Sequence, residues 1–388
     1  MLNPFYWYSC IWTFVLVLYG LGYSAINQPL TLQLALFLIL TILISGIIGF
    51  LCRDIFQYRS LEDKPKITNT LTLVTVVFIV MDLLYTKQIP FLSIIRGVSQ
   101  YGNDEIMGMP IVHTLLTNWI IVYCSYLYYV FLETQSKNIL FKIIAQLSFF
   151  LLFFQKGMII VVLFIFFNLS IAKLRKKRKV FNFKNLFIIC ISILVIMYLN
   201  GILANIRSGS LWNDNYYIKT VAQITNWPKW IPGQYIWTYT YITTPLGNLN
   251  QLLITFDGTF NLGNLILSVI PALISNQFVT STADFNILDS KLTVKYLNAS
   301  SGFMDAVNAG GIVGICLFYI AIVIIILFLT WYLFKKKKYS TPMYALLSML
   351  ISWCFFYDTF SAAATSLIPL LIIIFCKVDN IKFKFNKG

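Results

Sequence analysis

Residues 309–334 read AGGIVGICLFYIAIVIIILFLTWYLF, and four consecutive lysines, Lys335–Lys338, follow them directly. The run carries no charged side chain, and about 20 apolar residues are enough for a helix to cross a bilayer. A cluster of cations at one end of such a helix indicates the end that stays in the cytoplasm. The run therefore predicts a transmembrane helix whose C-terminal end faces the cytoplasm.

The composition extends this prediction to the whole chain. Of 388 residues, 59% are hydrophobic and 11% are charged, and the mean hydropathy is +0.79. A soluble globular domain carries roughly a quarter charged residues, so a soluble enzyme and a disordered chain are excluded. The seven cysteines lie in apolar blocks or at their ends, without a C-x-x-C pair, which excludes a disulfide scaffold. We expect an all-α, polytopic integral membrane protein with about ten transmembrane helices and a large external loop that bears short helices.

Ten blocks are long enough to be helices across the bilayer. The predicted spans are 4–24, 30–51, 69–86, 111–132, 138–154, 157–173, 185–203, 309–334, 342–357 and 360–377.

The net charge of +15 is explained by the orientation of these spans. The basic runs are 53–66, 173–184, 335–338 and 377–387, and with both termini inside all four lie on the cytoplasmic side. The positive excess is therefore a topology signal, and we predict no binding of nucleic acid.

This topology divides the chain into three parts. Residues 1–203 hold helices one to seven and a short external loop, 87–110, while residues 309–388 hold helices eight to ten and a basic cytoplasmic tail. Between them, 204–308 is a large external loop. The apolar segment 263–278 within it is interpreted as a re-entrant or interfacial helix broken by Pro271, because a crossing there would place Lys335–Lys338 outside.

The large external loop is rich in tryptophan and tyrosine. Four tryptophans lie among polar residues, at Trp212, Trp227, Trp230 and Trp237. Such a pattern is typical of an interfacial aromatic belt with a small packed cap. It equally suits a platform for carbohydrate or lipid headgroups, because flat ring faces stack on sugars.

Two arginines are predicted to face outward, Arg96 and Arg207, each at a Gly-containing turn beside a span. A guanidinium can bind phosphate through two parallel hydrogen bonds, so both are candidates for an anion site; the alternative is an arginine that contacts anionic lipid. Five other ionisable residues are predicted at the same level of the membrane: Asp82, His113, Lys156, Asp305 and Asp358. Each is either part of a functional site or a paired or solvated residue of the framework.

The motifs of nucleotide and metal chemistry are missing from the sequence. It contains no P-loop, no H-E-x-x-H, no G-x-S-x-G and no D-x-D-like pair in the external loops. We therefore predict no cofactor and no metal.

The order of short motifs resembles a known family. After the third predicted span come Ile89-Pro90-Phe91-Leu92, Arg96-Gly97, Tyr101-Gly102, Met109-Pro110 and His113-Thr114-Leu115; the later motifs are Asn205-Ile206-Arg207, Tyr239 to Asn250, Ser301-Gly302-Phe303, Asp305 and Gly310-Gly311. This arrangement is similar to the Wzy-type polymerases that join oligosaccharide repeat units of bacterial O-antigen and capsule. The resemblance covers most of the chain as topology with short motifs.

The resemblance implies a metal-independent glycosyltransferase of the bacterial inner membrane, with a glycosyltransferase-C-like fold and an active site that faces the periplasm or cell exterior. Donor and acceptor would be oligosaccharides on undecaprenyl pyrophosphate, with membrane lipids, a chain-length regulator and a flippase as further partners. Arg96 and Arg207 would stabilise the departing pyrophosphate, and His113 or Asp305 would accept the proton of the attacking hydroxyl. The remaining residues, expected to bind substrate, are Asp82, Tyr101, Lys156, Tyr241, Asn248 and Asn250.

Two other functions stay open. An O-antigen ligase would use similar chemistry with another acceptor, but ligases share a histidine late in the long external loop, and 204–308 contains none. A flippase of lipid-linked oligosaccharides would be expected to have charges along a central path and two similar halves; neither is present in the sequence.

Overall fold

A computed structural model of the protein describes residues 2–61, 68–87, 89–95, 108–176, 183–275, 292–294, 297–336 and 339–378. Within these ranges the chain is all-α, and an isolated β-bridge pairs Ser24 with Ile224. The helices, in chain order, are α1 (Pro4–Gly20), α2 (Leu32–Leu51), α3 (Thr68–Thr86), α4 (Pro90–Ile95), α5 (Pro110–Thr134), α6 (Lys137–Leu152), α7 (Lys156–Lys176), α8 (Phe183–Arg207), α9 (Tyr216–Val221), α10 (Tyr235–Ile254), α11 (Leu262–Val269), α12 (Ala272–Ser275), α13 (Met304–Lys335), α14 (Ser340–Trp353) and α15 (Ile368–Val378).

A helix occupies each of the ten predicted spans. In the described part of the chain, six helices are long and apolar enough to cross a membrane: α2, α3, α5, α7, α8 and α13. The helices at the first, fifth, ninth and tenth predicted spans are shorter, with 17, 16, 14 and 11 residues. The prediction of an all-helical polytopic membrane protein is confirmed, and the count of ten crossings stays a prediction.

Helix α14 shows how a helix that is shorter than the bilayer can still be buried in the bundle. Helix α14 packs against α1, α5 and α7, and its buried residues run without a break from Ser340 to Ser352. Its hydroxyls bond to neighbouring backbone: Ser348 Oγ donates to the carbonyl of Leu2 at 3.1 Å. Because α14 is enclosed by other helices, it has no lipid-facing surface to match to the bilayer.

Helix α10 is the main departure from the predicted topology. The loop 204–308 was expected to bear short helices, but α10 has 20 residues and packs against α1, α8 and α13. Threonines and asparagines interrupt its apolar positions, so its sequence does not read as a membrane block. These polar residues are buried against protein, and α10 therefore belongs to the bundle rather than to a peripheral cap.

The apolar segment 263–278 breaks where the proline predicts. Helix α11 ends at Val269, Ile270 is extended with φ −89° and ψ 137°, and α12 begins directly after Pro271. Residues 276–278 lie outside the described residues. Helix α11 packs along α13, so this segment lies against the bundle.

Helix α13 is bent at a pair of glycines. Gly310 has φ −179° and ψ 30°, and Gly311 has φ 56° and ψ −135°. A Cβ on Gly311 would lie 2.9 Å from two ring atoms of Phe256, and a Cβ on Gly310 would lie 2.4 Å from a ring atom of Phe260. The positive φ of Gly311 and the two close aromatic rings together require glycine here.

Candidate functional site

A cavity of about 890 Å³ opens at the end of the bundle that the sequence assigns to the outside. It lies between the start of α7, the end of α8, helix α9, one face of α10, the segment before α13 and the segment that follows α14. Its wall is formed by Gly157, Met158, Val161, Arg207, Ser208, Tyr217, Ile218, Val221, Trp237, Thr240, Tyr241, Thr244, Leu297, Asn298, Ala299, Ser300, Trp353, Phe356, Tyr357, Ala362 and Ala364.

One face of α10 supplies the polar and aromatic core of this wall. Trp237, Thr240, Tyr241 and Thr244 follow the spacing i, i+3, i+4, i+7, which places them on one side of a helix. The hydroxyl oxygens of Thr240 and Thr244 are buried, and within the described residues neither has a hydrogen-bond partner. The two residues line the cavity, but their hydroxyl oxygens are closed to solvent, so a ligand reaches them only if neighbouring side chains move.

Arg207 brings a permanent positive charge to the cavity. It is the last residue of α8, and its Nη2 donates a hydrogen bond to the hydroxyl of Tyr241 at 3.0 Å. The side chain is exposed, so an anion in the cavity can reach the guanidinium. Arg207 and Tyr241, two separately predicted site residues, are thus in direct contact.

Aromatic rings stack along the same wall. The Trp237 ring lies 5.8 Å from Tyr241 with 29° between the planes, and 6.2 Å from Tyr217 with 25°. The indole Nε1 of Trp237 donates to Asn205 Oδ1 at 2.6 Å, and Asn205 is buried. Asn205 therefore fixes the orientation of the ring beside Arg207, which suits a flat, partly apolar ligand such as a sugar.

A second polar cluster surrounds the only histidine of the chain. His113 Nδ1 lies 2.6 Å from Asp82 Oδ2, and the other carboxylate oxygen accepts from the backbone N–H of Met109 at 2.6 Å. His113 Nε2 lies 2.6 Å from Nε2 of Gln155. Asp82 is fully buried, and the rings of Phe149 and Phe153 pack against the imidazole. Both ring nitrogens of His113 are engaged, so the cluster ties α3, α5 and the start of α7 together.

Asp305 and Asp358 lie near each other at this end of the bundle. Asp358 follows the cavity-lining Tyr357 in the segment between α14 and α15, and Asp305 lies in the first turn of α13. Burial, followed by repulsion from Asp305, raises the pKa of Asp358 to about 7, although the backbone N–H groups of Phe360 and Ser361 donate to its Oδ1 at 2.8 and 3.1 Å. Asp358 thus holds or releases a proton near neutral pH beside the cavity wall.

The asparagines expected to bind substrate are instead used within the framework. Asn248 donates to the carbonyls of Leu297 and Ala299, both at 2.9 Å, and accepts from Thr293. Asn250 donates to the carbonyl of Pro29 at 3.0 Å and accepts from the N–H of Thr31 at 2.9 Å. Both are buried and neither lines the cavity, so they position α10.

The remaining predicted residues cannot be placed at the cavity by their side chains. Arg96 and Tyr101 lie outside the described residues. Lys156 begins α7 next to Gly157, and its side chain also lies outside them. The predicted cleft shared by Arg96 and Arg207 therefore stays a prediction.

Several lining residues were missed by the sequence analysis. The residues at the end of α14 and after it, Trp353, Phe356 and Tyr357, were treated as parts of short spans, yet they close one side of the cavity. Four of the five residues at 353–357, a predicted outer rim, are aromatic, and this was the available signal. The helical spacing of Trp237, Thr240 and Thr244 was a second signal, and it required the recognition of α10 as a long helix.

Comparison with models of known protein families, with curated proteins and with solved structures finds no match to this chain.

Proposed function

We propose that this protein is a ten-span membrane glycosyltransferase that polymerises oligosaccharide repeat units carried on a lipid pyrophosphate, at the outer face of the bacterial inner membrane. The single observation that carries the proposal is the 890 Å³ cavity, which combines a guanidinium and stacked aromatic rings at one end of an apolar bundle. Ligand cavities of about 300–1,000 Å³ are typical of small-molecule sites, so one or two sugar rings would fit.

Each part of the substrate has a chemical counterpart in the site. Trp237, Tyr241 and Tyr217 offer ring faces for the apolar faces of sugars, and the Tyr241 hydroxyl, already bonded to Arg207, is a polar group beside them. Arg207 offers a fixed positive charge to the pyrophosphate.

The surface of α8 next to Arg207 suits a lipid tail. Leu199, Leu203 and Ile206 are 51%, 59% and 56% exposed, and they lie in the two turns that precede Arg207. A carrier lipid whose hydrocarbon chain lies along this face would place its phosphates at the level of the guanidinium. This supports a lipid-linked anion over a soluble sugar nucleotide.

The proposed reaction is a direct displacement. A hydroxyl of the acceptor attacks the anomeric carbon of the donor glycan, the new glycosidic C–O bond forms, and the C–O bond to pyrophosphate breaks. The electron pair leaves with the lipid pyrophosphate, whose developing charge Arg207 stabilises, and the proton of the hydroxyl passes to a base. Neither His113 nor Asp305 lines the cavity, and both nitrogens of His113 are already hydrogen-bonded. Asp305, in the first turn of α13 near Asp358, is therefore the proposed base, and it would have to reach the acceptor from beside the cavity.

The test is electrophoresis of surface polysaccharide from a deletion strain complemented with variants. Arg207→Ala should abolish the ladder of polymer lengths and leave single repeat units, because loss of one donor to a developing anion costs about 10²–10³-fold in rate. Arg207→Lys should restore only part of the ladder, since an ammonium does not form the fork. Lys229→Ala is the matched control, an exposed cation of the same external segment that does not line the cavity.

The outcomes separate the competing functions. A full ladder in Arg207→Ala, at wild-type protein level, would refute the pyrophosphate role. Free lipid-linked polymer in the deletion strain would indicate a ligase, and loss of all exported glycan would indicate a flippase.

A further inference from the structure

A second cavity, of about 750 Å³, opens at the opposite end of the bundle. Helix α7 begins at the outer cavity and ends at this one; its 21 residues span about 32 Å at 1.5 Å per residue. The wall combines residues of the N-terminus, the segment after α2 and the last turn of α7. It therefore lies at the level that the basic runs assign to the cytoplasmic leaflet.

Three cations line this cavity: Arg53, Arg175 and Lys176. They come from two parts of the chain separated by more than a hundred residues, so the fold rather than the local sequence brings them to one place. Lys176 is held in position because its Nζ donates to Ser60 Oγ at 2.7 Å and lies 5.7 Å from the centre of the Tyr58 ring.

The two carboxylates described near the cavity, Asp54 and Glu133, do not neutralise the three cations. Asp54 also lines the cavity, but its nearest oxygen lies 3.8 Å from Arg53 Nε and its side chain is 83% exposed, so the pair is weak. Glu133 is already bonded to Lys173 at 3.2 Å and to the Tyr58 hydroxyl at 2.7 Å. The lining therefore keeps an excess of positive charge.

The rest of the wall is mixed, with the amide side chains of Asn3 and Gln57 beside apolar and aromatic residues. Leu2, Phe50, Phe56 and Ala172 line the cavity together with Tyr6. A wall of this kind accepts a molecule with an anionic head and an apolar body, and basic pockets between helices on the cytoplasmic side are suited to phosphate-bearing lipid heads.

We propose that this cavity binds a phosphate-bearing anion, whose charged group is held by Arg53, Arg175 and Lys176. The inference does not depend on the proposed glycosyltransferase activity, because the cavity lies at the other end of the molecule. The anion comes either from a phospholipid of the inner leaflet or from a soluble phosphate compound of the cytoplasm.

The test uses the purified full-length protein in neutral detergent and measures its thermal unfolding in a titration with each probe. The probes are dioleoyl phosphatidylglycerol, dioleoyl phosphatidylcholine and inorganic pyrophosphate. The variant R53Q/R175Q/K176Q is compared with K335Q/K336Q/K377Q, which removes three cations at the same end of the bundle but outside the cavity.

Wild type and control should be stabilised by an anionic probe and not by phosphatidylcholine. The apparent affinity of R53Q/R175Q/K176Q for that probe should fall about 100-fold, since each cation near a phosphate contributes about fivefold. A response to phosphatidylglycerol alone assigns the site to a lipid head, and a response to pyrophosphate that depends on the same three residues assigns it to a soluble phosphate.

Two results would overturn the proposal: no response of the wild-type protein to either anionic probe, or an equal loss of response in the two triple variants. If R53Q/R175Q/K176Q does not fold, the single variant R175Q replaces it, because Arg175 is exposed. Its apparent affinity should fall about fivefold, and an unchanged affinity would again overturn the proposal.

Discussion

Removal of the Asp82 carboxylate should destabilise the bundle far more than its single charge suggests. Asp82 is fully buried, and its two oxygens bond to the N–H of Met109 and to Nδ1 of His113, both at 2.6 Å. Asp82→Ala leaves both groups buried without a partner, at about 1–3 kcal/mol each. The expected loss in free energy of unfolding is therefore about 2–6 kcal/mol.

Asp82→Asn should cost much less, about 1 kcal/mol. The amide oxygen can still accept from Met109, and the amide nitrogen can donate to Nδ1 of His113 if the ring carries its proton on Nε2. That proton then needs an acceptor, and Gln155 Oε1, which has no partner within the described residues, becomes available by rotation of its amide. The pair of variants thus separates the bonding pattern from the negative charge.

The measurement is unfolding in mixed micelles of dodecyl maltoside and sodium dodecyl sulfate, followed by the fluorescence of the nine tryptophans. Asp54→Ala is the control, because this carboxylate is 83% exposed and its removal should change stability by no more than about 0.5 kcal/mol. A loss below about 1 kcal/mol in Asp82→Ala, or equal losses in Asp82→Ala and Asp82→Asn, would refute the reasoning.

Two further predictions concern the outer half of the bundle. Gly311→Ala should lower the free energy of unfolding by at least about 2 kcal/mol, because a Cβ there combines φ 56° with contacts of 2.9 Å to Phe256. Gly20→Ala is the control, since a Cβ at Gly20 meets nothing within 4 Å. Equal effects of the two substitutions would contradict the explanation. Asp358→Asn should remove a pH dependence of stability, because the native pKa of Asp358, about 7, lies above the unfolded value near 3.9. The contribution of this carboxyl group to stability is complete below pH 4, and up to about 4 kcal/mol of it is lost relative to the variant as the pH rises to 7. Parallel unfolding curves of wild type and Asp358→Asn between pH 4 and 8 would show that the carboxyl group is not buried as described.

The apolar helices could be predicted from sequence because their signal is local. A run such as 309–334 contains its own evidence, since bilayer thickness sets the length and the flanking lysines set the direction. Helix α10 could not be recognised in this way. Its buried Asn248 and Asn250 bond to residues outside the helix, so its burial depends on tertiary contacts.

The candidate site was predicted in part, for the same reason. Arg207 and Tyr241 were selected because a cation and a ring in an external segment suit an anionic glycan, and they do contact each other. Asn248 and Asn250 were assigned to substrate because they lie in the motif Tyr239 to Asn250 that carries the resemblance, and a short motif does not distinguish a ligand contact from a buried framework bond. The contribution of Trp353 to the cavity depends on how α14 is enclosed, which no local pattern encodes.

The burial of α14 against the first helix constrains the order in which the molecule can be assembled. Ser348 bonds to the carbonyl of Leu2, so partners that meet in the finished protein leave the ribosome more than three hundred residues apart. The face of α1 that packs on α14 therefore stays without this partner until synthesis has passed residue 340. Packing of α14 against α1 is consequently a late step in biogenesis, and chains truncated before residue 340 would lack this contact.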